Sequence, residues 1–140
     1  MRKALLDTDI FSEILKGKDP QVAVRASLYR AAFRQYTIST ITVVEIVKGL
    51  HKTNHTERLQ QFLDGLTSVE VLTLDVVAAE IAGKIYADLE RTGQPIGRAD
   101  PLIAAIALRQ QRVLVTGNMK HYQRLITLGY PLELDNWRLL

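Results

Sequence analysis

Apolar positions along the chain switch repeatedly between strand-like runs and helical spacing. Lys3 to Leu6 is a short apolar run that stops at Asp7-Thr8-Asp9, after which Ile10, Phe11, Ile14 and Leu15 recur three and four residues apart. The opening therefore reads as strand, polar turn and helix, with Asp9 in the capping position. Gly17, Asp19 and Pro20 break that helix. A second is predicted from Gln21 to about Gln35, with Val22, Leu28 and Ala32 turned inward and Arg25, Arg30 and Arg34 outward. The β-branched stretch Tyr36 to Ile41 predicts a strand. Thr42-Val43-Val44-Glu45 then has the form of a capping box ahead of the helical residues Ile46, Val47 and Leu50. Helical spacing continues from about Thr56 to Leu66, Val69 to Leu74 alternates as a strand, and Asp75 caps a long helix that reaches Arg91.

The stretch from Pro95 to Leu108 is the most pointed of all. Pro95 and Gly97 mark a turn, Asp100 is a favoured N-cap type, and Pro101 suits the first helical position because an N–H there has no helical partner. The helix behind it is strongly apolar. Arg112 to Thr116 is a further short strand closed by Gly117-Asn118, followed by a brief helix from about Met119 to Leu128 and an extended segment, Leu132 to Leu134. Strands and helices thus alternate throughout. That order predicts an α/β fold: a single domain, residues 1–140, with a central mostly parallel sheet of roughly four or five strands flanked by helices on both faces.

Composition narrows the chemistry. The 140 residues are 47% hydrophobic and 24% charged, the balance of a globular chain with one sizeable core. The absence of cysteine excludes disulfides, thiolate metal sites and cysteine nucleophiles, and three scattered histidines make a zinc-type site a poor fit. Any metal would be held by oxygen. No apolar run approaches the roughly 20 residues that span a bilayer, and no signal-peptide core opens the chain, so a cytoplasmic protein is expected. A formal charge of +3 and a pI near 9.3 tolerate a polyanionic partner without demanding one.

Three acids stand at comparable places. Asp7 follows the first strand, Glu45 opens the helix after the second, and Asp100 begins another helix, while Thr116 and Asn118 follow the strand beyond it. In a parallel α/β sheet these strand ends share one edge. Taken singly, a cap explains Asp100 and a capping box explains Glu45. If the three converge within about 5 Å, each pair repels by roughly 3 kcal/mol at an effective dielectric of about 20. A hard divalent cation relieves that repulsion, and Mg2+ or Mn2+ prefers such oxygen ligands. The triplet therefore points to metal-assisted hydrolysis of a phosphate ester.

At these residues the sequence resembles a known family. Leu5-Leu6-Asp7-Thr8-Asp9-Ile10, Thr42-Val43-Val44-Glu45 with Gly49 behind it, Ile96 to Ala105 around Asp100, and Val115-Thr116-Gly117-Asn118 look like the ordered motifs of PIN-domain ribonucleases, and more narrowly of VapC-type toxins of toxin–antitoxin pairs. The C-terminal Leu134-Asp135-Asn136-Trp137 extends the likeness over nearly the whole chain. The resemblance implies a metal-dependent endoribonuclease, with Asp7, Glu45 and Asp100 as the acidic ligands of Mg2+ or Mn2+ and Thr8, Thr116 and Asn118 in support. Asn118 is a departure, since many members carry a fourth acid in this region and here no carboxylate occurs between Asp100 and Glu133. One firmly held cation is expected in consequence. The family further implies a homodimer and a small VapB-like antitoxin that blocks the site. The subgroup it most resembles cuts transfer RNA.

Arg98, Lys48, Lys52, Lys120 and Arg124 lie near the motif-bearing loops in sequence and are candidate contacts for RNA phosphates, against the plain reading of each as a solvated charge. His51, His55 and His121 read as surface residues. For the dimer surface, Phe11, Leu28 and Phe33 are candidates, with burial in the monomer core as the default. Two other functions compete. One is a PIN-like module that has lost catalysis and binds RNA or protein, which Asn118 would suit. The other is a haloacid-dehalogenase-like phosphatase, in which Asp7 is the nucleophile and Asp9 a general acid; it leaves Glu45 without a role.

Overall fold

The computed structural model describes residues 1–94 and 99–139. Among the described residues, five short strands are interleaved with seven helices: β1 (Ala4–Leu6), α1 (Thr8–Lys16), α2 (Pro20–Phe33), β2 (Thr37–Ser39), α3 (Thr40–Lys52), α4 (Thr56–Gly65), β3 (Glu70–Leu72), α5 (Val76–Arg91), α6 (Asp100–Gln110), β4 (Val113–Val115), α7 (Met119–Thr127) and β5 (Leu134–Asp135). A single 3-10 turn, Leu66–Ser68, links α4 to β3. All recorded strand pairs are parallel. β4 lies between β1 and β5, with Ala4 opposite Val113 and Leu114 opposite Leu134, while β2 pairs with β3, with Thr37 opposite Glu70. β2 packs beside β1, so the two sheets meet along those strands. At the N-terminal edge Arg112 ties them together, reaching Glu70 at 3.0 Å, while the Thr37 hydroxyl donates to the same carboxylate oxygen at 2.6 Å.

Strand alternation divides the core in two. Leu5 and Leu114 face α5, α6 and α7, where they pack with Ile85, Leu89, Ile103, Ile106 and Leu125. Ala4, Leu6 and Val115 face the other way, onto Ile10, Phe11, Val22, Tyr29, Ile46, Phe62 and Trp137. A strand buried on both faces reads as a continuous apolar run, as Ala4-Leu5-Leu6 does. The expected α/β architecture of parallel strands between two helical layers is therefore what the chain adopts.

The structure corrects five local expectations. Asp7, not Asp9, caps α1: its amide still donates to Val115 in the sheet at 2.9 Å and its own carbonyl accepts from Phe11, so helix begins at Thr8. Ser39, not Thr42, caps α3 by accepting the Thr42 amide at 3.2 Å, which places Glu45 beyond the reach of a capping box. Ala99 holds the cap position of α6, with Asp100 and Pro101 as its first two helical residues. On α2 the buried stripe is Val22, Ala26 and Tyr29, and Leu28 and Ala32 fall on the exposed side. Tyr29 sets that stripe, because its hydroxyl accepts from the Ala4 amide at 3.0 Å and donates to the Ala4 carbonyl, satisfying β1. The last strand is shifted as well, to Leu134–Asp135, by pairing with Leu114 and Val115.

Candidate active site

Asp7 stands where β1 ends, at the C-terminal edge of the sheet, and is only 3% exposed. Its carboxylate is held on both sides. Oδ1 accepts from the Thr8 amide at 2.9 Å, and Oδ2 accepts from the Thr116 hydroxyl at 2.7 Å and the Tyr122 phenol at 3.1 Å. Thr116 follows β4, so the parallel pairing of β1 with β4 brings these two groups to the same level. The Thr116 oxygen also accepts the Asn118 amide at 3.0 Å, which ties the start of α7 to the site.

Glu45 reaches the site through Thr8. The Thr8 hydroxyl donates to Glu45 Oε1 at 2.6 Å and accepts from the buried Thr42 hydroxyl at 2.8 Å. Glu45 thus belongs to α3 but is addressed by the first residue of α1. Asp100, freed from capping α6, meets His121 instead, with Nδ1 of the imidazole 2.9 Å from Oδ2. A carboxylate only accepts, so Nδ1 is the donor. Asp9 completes the acidic group. Its Oδ1 accepts from the Ile10 amide and its Oδ2 from the Gly117 amide, both at 2.8 Å. Gly117 is required by this approach, because a Cβ there would stand 2.5 Å from Asp9 Oδ2.

Electrostatics make the site costly as it stands. Burial, then the charge of Asp9, and to a lesser degree Asp100, push Asp7 up to about 7 against the opposing bonds from Thr116 and Thr8. Burial likewise raises Asp9, with Asp100 adding to the effect, although the Gly117 and Ile10 amides and Arg138 pull the other way. The Tyr122 phenol is raised far out of its ordinary range by burial and by Asp7 and Asp100, so it stays a protonated donor. An acidic cluster with a buried, half-neutralised member is the donor set that a hard divalent cation would suit. The residues fit one.

The three-carboxylate shell expected from the sequence is not assembled among the described residues, where no group of three such side chains stands ready around one point. Asp7 and Asp100 feel each other's charge; Glu45 is turned to the Thr8 hydroxyl. Like-charge repulsion of roughly 3 kcal/mol per pair at about 5 Å favours that partition. Asn118 is exposed, makes no capping bond with its side chain, and contributes its amide to Thr116. Lys48 and Lys120 are exposed and Arg124 half-buried; Lys48 follows Glu45 by about one turn, and Lys120 and Arg124 lie on α7. Arg98 lies outside the described residues. His121 and Tyr122 were not legible as site residues. Tyr122 presents itself in sequence as an ordinary core position of a helix, and His121 as its exposed neighbour.

The PIN domain family model matches residues 4–124. A tRNA(fMet)-specific endonuclease VapC of Shigella flexneri is 34% identical over 125 residues, covering 89% of this chain and 92% of that protein. Ribonuclease VapC2 of Haemophilus influenzae is 30% identical and covers 98% of this chain and 99% of its own length. Among solved structures, a DNA-bound VapBC from Salmonella typhimurium superposes with a TM-score of 0.80 at 32% identity over 98% of this chain and 99% of that one. VapBC2 of Rickettsia felis, bound to a DNA fragment from its promoter, gives 0.80 at 29% identity, over 96% and 98%.

Proposed function

We infer, for a chain that belongs to the PIN-domain family and within it to the VapC ribonucleases, that RNA is cut with a divalent cation, Mg2+ or Mn2+, which Asp7, Asp100 and Glu45 would hold. The single observation that carries this reading is Asp7: a carboxylate buried beside two further acids, pushed up to about 7, with each oxygen oriented by a fixed donor. A divalent cation supplies a more acidic water and screens the charge that develops on a scissile phosphate. The chain's own residues do the remaining work. Thr116 and Tyr122 hold Asp7 Oδ2, leaving free acceptor capacity on Oδ1 beside the Thr8 amide. Thr8 steers Glu45, and Asp9 fixes the Gly117 loop through backbone bonds. Asp9, whose two oxygens each accept a backbone amide, from Ile10 and Gly117, acts as a structural anchor in this reading.

The substrate is a transfer RNA, by extension from the relatives of Shigella flexneri and Salmonella typhimurium that are named tRNA(fMet)-specific endonucleases. Lys48, Lys120, Arg124 and Arg98 are proposed to contact its phosphates. Structural neighbours that are VapBC complexes support a VapB-like antitoxin as partner. A homodimer of one domain per chain completes the reading. Among the described residues no helix is long and apolar enough to cross a membrane.

The test is direct. Purified chain incubated with transfer RNA and Mn2+ or Mg2+ should cleave it, and chelator should stop cleavage. Asp7→Asn, Asp100→Asn and Glu45→Gln should each remove it while circular dichroism stays that of the parent. Cleavage that survives these substitutions sinks the assignment; RNA retained without any cutting favours the binding module instead.

A further inference from the structure

We propose that His121 is a positioning residue for Asp100, holding its carboxylate at the angle from which, together with Asp7, it grips one divalent cation. The inference rests on the metal-dependent reading above. Asp100 sits at the first position of α6, and among the described residues its side chain accepts no bond from the amides of its own helix. A fixed donor at its Oδ2 comes from another element, the Nδ1–H of His121 at 2.9 Å.

The source of that donor is what gives it meaning. His121 and Tyr122 are consecutive residues in the first turn of α7, and together they serve both acids: Tyr122 donates to Asp7 Oδ2 with its phenol also acted on by Asp100, and His121 donates to Asp100 Oδ2. The same turn is anchored by the Asn118 amide on Thr116, whose hydroxyl donates to Asp7. A continuous chain of bonds therefore runs from Asp7 through Thr116, the start of α7 and His121 to Asp100. One rigid helical turn sets the spacing of two carboxylates that come from β1 and α6. Donors behind a metal-ligating group orient it, and their loss typically weakens metal binding by about 10–100-fold. α7 adds orientation without adding negative charge, since no carboxylate occurs between Asp100 and Glu133. A single cation is the stoichiometry this arrangement supports.

Mn2+ binding to the full chain, followed by electron paramagnetic resonance of the free ion and by calorimetry, tests it, with thermal melting as the folding control. The parent should bind one Mn2+. His121→Ala should bind it about 10–100-fold more weakly with its melting temperature little changed. His121→Asn, which returns an N–H near the place of Nδ1, should recover most of the affinity, whereas His121→Gln, whose donor stands farther along the side chain, should behave like alanine. Equal affinity in the parent and His121→Ala, or in the Asn and Gln variants, overturns the positioning role. Asp7→Asn separates the two levels of the argument: a parent that binds no Mn2+, or binds it equally well with Asp7→Asn, overturns the metal reading itself. Binding that is lost with Asp7→Asn but indifferent to His121 removes only the proposal made here.

Discussion

Asp7 concentrates the physics of the site in one side chain. Its native carboxyl is raised from 3.8 to about 7, so the charged form is disfavoured in the folded chain relative to the unfolded one. The sign follows: the destabilisation is fully present above about pH 7 and disappears as pH falls toward 4. At 1.36 kcal/mol per pKa unit it amounts to about 4 kcal/mol at most. The cation-free chain is therefore expected to melt higher as the buffer is taken from about pH 8 to about pH 5.5, with saturating Mn2+ flattening the slope. Thermal melting in chelator across that range checks it. Asp7→Asn should also flatten the slope, because it removes the titrating group; an unchanged slope in that variant would place the pH dependence elsewhere. The residue was legible in the sequence as an acid after a strand. Its burial was not, since that depends on Tyr122 and Thr116 arriving from more than a hundred positions away.

At the scale of elements, the site is made by how helices start. Asp7 caps α1, Ser39 caps α3 and Ala99 occupies the cap of α6, an arrangement that releases Glu45 and Asp100 for other contacts. Capping signals in sequence name residue types and spacings, and both Thr42-x-x-Glu45 and Asp100-Pro101 satisfy them, the former three residues past the actual cap Ser39 and the latter one residue past Ala99. The loop after β4 is the tightest of these joins. Gly117→Ala would set a methyl 2.5 Å from Asp9 Oδ2 and 3.1 Å from Arg138 Nε, and both the Gly117 amide bond and the C-terminal segment would have to give. A loss of about 1–3 kcal/mol is expected by urea unfolding, together with weaker cleavage, because Thr116 adjoins the displaced loop. A fully stable Gly117→Ala protein would show that the loop yields without strain.

At the scale of the molecule, the two helical layers are joined through strands only three residues long. Leu5 serves one layer and Leu6 the other, so neither layer keeps its core without β1. Trp137 closes the second layer from the C-terminus, 2% exposed and 5.6 Å from the Tyr29 ring. Tyr29 in turn binds the backbone of β1. Unfolding is thus expected to be a single transition in which the fluorescence of Trp137 and far-ultraviolet circular dichroism coincide. Trp137→Ala should cost about 3–5 kcal/mol, a large part of the roughly 5–15 kcal/mol that a domain possesses. Two separated transitions would show that the layers fold independently.

The alternation of apolar runs with helical spacing determined the α/β class, the order of elements and the parallel sheet, because each depends on periodicities that neighbouring residues carry themselves. It also placed Asp7 at a strand end and Asp100 at a helix start, where a parallel sheet gathers its ligands, whereas Glu45, expected to open its helix, lies in the second turn of α3. What tertiary structure alone decided was which side chain each acid faces. Asp100 meets His121, Glu45 meets Thr8, and Tyr122 turns a core position into a donor for Asp7. Those pairings join residues 21 to 115 positions apart, and a separation of that kind is settled by how helices pack on the sheet rather than by any local preference of the chain.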